Sequence, residues 1–135
     1  MPIQNAEVAD VFNKMADLLE IEGENQFRIR AYREAARTVG RHSRSVAEMV
    51  EQDKDLTELP GIGRDLAGKI REIVESGKLS QAEELEKHTE PGLRELLGLP
   101  GLGRERVREL HERLGVRNLQ ELEEAARDGK ILISA

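Results

Sequence analysis

The sequence predicts an all-α fold, a small helical domain carrying a duplicated glycine hairpin, and three observations predict it. No stretch alternates apolar and polar residues at the period of two that a half-buried strand requires. Apolar residues instead recur three and four positions apart, the spacing of a helix face. Finally, the apolar 38% of the 135 residues is almost all aliphatic, with aromatics at 2% (Phe12, Phe27 and Tyr32) and no Trp. That is enough for a small core of Leu, Ile, Val and Ala.

The elements follow in order. Val8, Val11, Phe12, Met15, Leu18 and Leu19 predict a helix over 6–21 with Asn5 as its N-cap. After Gly23 a second helix begins near Asn25, with Ile29, Tyr32, Ala36 and Val39 as its apolar stripe. Beside that stripe run Arg30, Arg33, Arg37, Arg41 and Arg44, which share one side if the helix continues through Gly40. Ser45 caps a short third helix through Val50, with Glu48 at the capping-box position, and Asp53-Lys54-Asp55 reads as a solvated helix start. The chain then repeats itself. Residues 58–77 read ELPGIGRDLAGKIREIVESG and residues 98–117 read GLPGLGRERVRELHERLGVR, with the two Leu-Pro-Gly-x-Gly cores 40 residues apart. An amphipathic helix follows each, on Leu66, Ile70, Ile73 and Val74 in one copy and Val107, Leu110 and Leu114 in the other. A last helix covers Leu119 to Arg127, and Gly129 stops it.

The net charge is −6, from 21 basic and 27 acidic residues, which by itself argues against a polyanionic partner. The distribution reverses that argument. Residues 1–26 hold one base and six acids, whereas residues 27–44 hold six arginines and one glutamate. Screening limits the reach of a charge to about 8–10 Å at physiological salt, so the basic face acts locally. The longest uncharged stretch, 96–103, is broken by Gly and Pro, so no membrane partner is expected. Glu7, Asp10, Lys14 and Asp17 stand where a secretory signal would be apolar. With no Cys there is no disulfide or thiolate zinc site, which fits a reducing, cytoplasmic setting. His42, His88 and His111 are scattered, and no cofactor is required; an oxygen-ligand metal site stays open.

The hairpins suit anion binding. Pro60 fixes its own φ and donates no hydrogen bond, Gly61 and Gly63 admit positive φ and close approach, and Arg64 leads into the next helix. Pro100, Gly101, Gly103 and Arg104 repeat the arrangement. The N–H groups at such a helix start favour a phosphate, and contacts of this kind read the backbone rather than the bases. Glycine also serves as a plain helix terminator, but two copies with matched Leu-Pro entry and Arg exit outweigh that reading. The pattern resembles the helix-hairpin-helix motif of DNA-repair proteins. That resemblance implies a monovalent cation, Na or K, on the carbonyls of Thr57, Leu59 and Ile62 and again of Leu97, Leu99 and Leu102.

From Asn5 to Ile131 the chain resembles the N-terminal region of family X DNA polymerases of the bacterial and archaeal type. The stretches that carry the likeness are EGENQFRIRAYREAARTV (22–39), LPGIGRDLAGKIREIVESG (59–77) and GLPGLGRERVRELHERLG (98–115). The resemblance implies a lyase-like domain over 1–88 holding the first hairpin and a second hairpin unit over 89–135. Its partner would be gapped, nicked or 5′-phosphorylated duplex DNA, with a polymerase or another repair protein alongside. It also places a deoxyribose-phosphate lyase nucleophile at Lys69, a pocket tyrosine at Tyr32 and a phosphate-binding cation at Arg28. Three positions depart from the family pattern: Asp65, Gly68 and Gln81. Asp65, one turn before Lys69, invites an ion pair and repels a 5′-phosphate, for which Arg28, Arg64 or Lys78 could compensate. No strand offers the Asp pair of a polymerase palm and residues 128–135 close the sequence, so nucleotidyl transfer is not expected of this polypeptide. The first reading is therefore a sequence-independent DNA-binding module using Arg28, Arg30, Arg33, Arg37 and both hairpins. An active lyase and a protein-interaction module, with the Arg row meeting an acidic partner, are the alternatives.

Overall fold

Eight α-helices and one 3₁₀ turn carry the described residues, 2–130, of this computed structural model. They are α1 (Asn5–Glu22), α2 (Gln26–Arg41), α3 (Val46–Glu51), the 3₁₀ turn (Leu56–Glu58), α4 (Arg64–Ser76), α5 (Ser80–Lys87), α6 (Pro91–Leu97), α7 (Arg104–Leu114) and α8 (Leu119–Arg127). There is no strand among the described residues, and none of their helices is long and apolar enough to cross a membrane. Expectations for Ile131 and the residues after it lie outside the described residues.

Helix α1 buries Val8, Phe12, Met15, Leu18 and Leu19 and ends where Gly23 turns left-handed at φ 75°, its N–H returning to the Glu20 carbonyl at 3.1 Å. Asn5 is not its N-cap. That position is Gln4, with no side-chain cap, and Asn5 reaches across to the α2–α3 linker instead. Its Nδ2 donates to the carbonyls of His42 (3.3 Å) and Arg44 (2.8 Å), and its Oδ1 accepts from the Val46 N–H at 2.9 Å. Those three bonds hold the linker extended. Helix α2 starts on an Asn25 cap, whose side chain accepts from the Phe27 N–H at 2.7 Å, runs through Gly40 and stops at Arg41. Arg44 therefore lies beyond the helix and leaves the aligned row.

Two clusters of buried side chains form. The larger runs from Val8 to Ala82 and unites α1 to α5; the smaller comprises Leu93, Leu96, Val107, Leu110, Val116, Leu122 and Ala125. Ile21 at the end of α1 packs against the smaller one. Leu114, expected in the α7 stripe, is 40% exposed. The reason is local: α7 ends there, Gly115 turns at φ 67°, and Val116 enters the core in its place, its N–H donating to the Leu110 carbonyl at 3.2 Å. Asp17 of α1 joins the two parts by accepting from Arg94 of α6 (2.8 Å) through one oxygen, while its other oxygen accepts from Arg33 of α2 (2.6 Å); Lys14 pairs with Glu86 of α5 within the larger part.

Candidate nucleic-acid interface

The two hairpins are the same turn built twice. In the first, the Ile62 N–H donates to the Leu59 carbonyl at 3.1 Å across Pro60 and Gly61, with Gly61 at φ 76°; in the second, Leu102 donates to Leu99 at 3.2 Å, with Gly101 at φ 83°. Proline followed by a positive-φ glycine is the requirement of a type II turn. Leu59 and Ile62 are buried, Leu99 and Leu102 half-buried, and the Pro-Gly tips are exposed, so the apolar residues seat each turn and hold its tip out.

Gly63 and Gly103 are different. Their φ values, −88° and −94°, suit any residue, and a Cβ added to either would meet nothing within 4 Å. Neither conformation nor packing inside the protein asks for glycine there, yet both copies have it. Each sits as the N-cap of the following helix and supplies no side-chain cap, leaving the first-turn N–H groups open to an anion. The carbonyls are also free to bind. Leu59 and Leu99 each accept one turn bond, and among the described residues no backbone bond between elements uses the carbonyls of Thr57, Ile62, Leu97 or Leu102. Neutral oxygens of this kind suit a hard alkali cation.

The surroundings of the two hairpins diverge. Arg64 is exposed, with no carboxylate partner among the described residues. Its counterpart Arg104 is 24% exposed and folded back on the α1–α2 corner: it donates to the Glu24 carbonyl at 3.4 Å and lies near Glu105 at 3.8 Å. With the Gln26 amide turned to present its oxygen, that oxygen lies 2.6 Å from Arg104 Nη1. Arg108 occupies the space beside Gly23, where any Cβ would strike its guanidinium.

The arginine row also divides. Arg33 turns inward, bonding Asp17 (2.6 Å), Glu20 (3.0 Å) and both the carbonyl and side chain of Asn13 (3.3 Å). Those carboxylates raise its pKa against the opposing effect of burial. It ties α2 to α1 and is not part of the outward face. Arg30 lies over the ring of Phe27 at 6.0 Å, and Phe27 is 78% exposed. Sequence reasoning gave Phe27 no role, although it falls off the stripe begun at Ile29. Arg37 and Arg41 point outward, and Arg28 lies 3.6 Å from Glu24.

Lys69 sits on α4 with only 16% of its side chain exposed, and its Nζ lies 2.7 Å from Asp65 Oδ1, on a carboxylate 81% exposed. Glu72 is one turn along, its carboxyl held below the ordinary glutamate range by the Ser80 N–H at 2.6 Å, with Lys69 adding to the effect. Tyr32 is buried with its ring 6.0 Å from that of Phe12, and no hydrogen bond among the described residues joins it to Lys69. Gln81 is half-buried at the start of α5, and Lys78 is exposed beside it.

Known proteins place this geometry. Residues 3–79 match the helix-hairpin-helix domain family, and residues 93–133 match the SAM-like helix-hairpin-helix tandem. The chain is 34% identical over 125 residues to the N-terminal region of DNA polymerase/3'-5' exonuclease PolX of Bacillus subtilis (strain 168). That match covers 93% of this chain and 21% of the relative, so the chain spans about a fifth of that protein's length. Helix-hairpin-helix domains bind DNA, and DNA is the ligand class they assign here. With the matched domain covering more than half the chain and the hairpin formed twice, the chain belongs to the helix-hairpin-helix domain family, in the all-α form of the N-terminal region of family X DNA polymerases.

Proposed function

We propose that the chain binds gapped, nicked or 5′-phosphorylated duplex DNA during repair by gripping the sugar-phosphate backbone at both hairpins, without reading base sequence. The observation that carries this is the pair Gly63 and Gly103, which nothing inside the protein requires and which a closely approaching phosphate does. The carbonyls of Thr57, Leu59 and Ile62, and of Leu97, Leu99 and Leu102, are the groups that would hold a sodium or potassium ion, whose charge would sit beside the bound phosphate. The test is Gly63→Asp. Aspartate caps a helix slightly better than glycine, by a few tenths of a kcal/mol, so thermal stability should hold or rise. Its charge opposes a phosphate, so affinity for a gapped duplex, read by fluorescence anisotropy, should fall about tenfold or more. Undiminished affinity would remove the hairpin from the interface. Duplexes of unrelated sequence should compete equally.

A deoxyribose-phosphate lyase at Lys69 is the second reading, favoured by the low exposure of that side chain beside Leu66 and Ile70. Schiff-base formation needs the neutral amine to attack C1′ of the abasic sugar, and partial desolvation helps. Asp65 stands against it by engaging Nζ directly. Asp65→Lys removes that partner and adds a phosphate-attracting charge, at a stability cost of about 1 kcal/mol from the lost ion pair, the new like charge beside Lys69 and a base in the first turn of α4. Borohydride trapping on a gapped duplex with a 5′-deoxyribose phosphate should therefore rise several-fold in the variant and vanish in Lys69→Ala. A band that survives Lys69→Ala would assign the chemistry to another amine.

A further inference from the structure

The charges on the chain are paired unevenly. Among the described residues, every arginine from Arg71 to Arg117 is engaged by the protein itself. Arg127 on α8 stands alone without a carboxylate partner there, whereas Arg30, Arg37, Arg41, Arg44 and Arg64, which have none either, gather as five on α2, just after it, or at the first hairpin. In a chain with more acids than bases, unpaired arginines gathered in one place mark a surface kept open for an external anion.

Two of these five share a cleft. Between α2 and the first hairpin is a depression of about 290 Å³ lined by Glu34, Arg37, Thr38, Arg41, Pro60 and Gly61. Thr38 donates its hydroxyl to the Pro60 carbonyl at 3.1 Å, which fixes the turn against the helix between the two arginines. Arg37 and Arg41 are one turn apart, about 6 Å along the helix axis. Successive phosphates of one strand are separated by more than the axial rise of about 3.4 Å because the backbone winds round the duplex, so the two guanidinium groups reach neighbouring phosphates. Glu34 is the single acid on the lining and forms no ion pair with either arginine.

We infer that this cleft is a second phosphate site, outside the hairpin motif, in which Arg37 and Arg41 take neighbouring phosphates of the strand held by the first hairpin. The guanidinium fork fits a phosphate in two bonds, and the Thr38 bond keeps the cleft in register with Gly61. The inference rests on the DNA-binding reading above and extends its footprint along α2.

The test is the salt dependence of binding to a gapped duplex, for wild type, Arg37→Gln/Arg41→Gln and Arg127→Gln, the last an exposed arginine on α8. Each phosphate neutralised contributes about 0.9 to the slope of log K against log salt, so the double variant should lose about two units of slope, and Arg127→Gln none. Arg37→Lys/Arg41→Lys keeps both charges and should retain the slope; it also decides the matter if circular dichroism shows the glutamine pair has lost helix. Wild-type slope in the glutamine pair, with Gly63→Asp still defective, overturns this site and leaves the hairpin reading standing. A lysine pair with the glutamine pair's slope overturns it too. Failure of wild type to bind any gapped duplex overturns both.

Discussion

Asn5 illustrates how much one side chain decides. Its amide satisfies two carbonyls and one N–H of the α2–α3 linker, across 37 to 41 residues of sequence. Leaving such groups unpaired costs about 1–3 kcal/mol when water cannot reach them. Asn5→Ala should lower the urea-unfolding free energy by that amount, and a loss below half a kcal/mol would mean that water substitutes for the amide. From sequence the residue reads as a helix cap, since asparagine just ahead of an apolar stripe is the usual signal, and only the fold reveals that a distant linker competes for it. The arginines teach the same lesson. Arg33 and Arg37 lie on one helical face, so periodicity treats them alike; what separates them is that Asp17 and Glu20 of α1 lie beside the first. Gly61 and Gly101 were readable because a Pro-Gly pair dictates its own turn.

At the level of elements, helices with a clear apolar period were legible to within a residue or two: α2, α4 and α8 stand where their stripes place them. Helices α5 and α6 carried weaker signals. Pro91 at the first position of α6 was one, an arrangement that proline favours. The start of α5 carried the Ser80–Glu83 capping-box pattern, but Ser80 is the first helical residue and caps nothing with its side chain, because the cap is borrowed from α4: the Glu72 carboxylate accepts from the Ser80 N–H. That bond predicts an acid sensitivity. The folded state holds the Glu72 pKa below its reference value of 4.5, so the contribution is complete above that value and lost as pH falls through the lower, folded one. Asp55, held low by its bonds from Thr57, acts in the same direction. Urea unfolding at pH 7 and pH 3.5 should show wild type losing more stability than Glu72→Gln, whose amide accepts the same bond without titrating. Equal losses would show that Glu72 plays no part in the acid response.

Across the whole molecule, the two clusters differ in depth. The smaller has seven buried residues among those described, and Leu96 is fully enclosed in it. Leu96→Ala removes about 2–5 kcal/mol, as much as a core of that size can supply. Amide exchange should then show α6 to α8 unprotected while α1 to α4 remain protected; loss of protection throughout would mean one cooperative unit. Asp17, bonded by one oxygen to α2 and by the other to α6, fastens these clusters together with partly exposed charge. Ions that compete with arginine for phosphate also compete with arginine for this carboxylate. An ionic-strength series on the complex is therefore a titration of posture as well as of grip. A straight double-logarithmic plot is the mark of a clasp that stays shut, and a change of gradient locates the salt concentration at which the two hairpins begin to move independently.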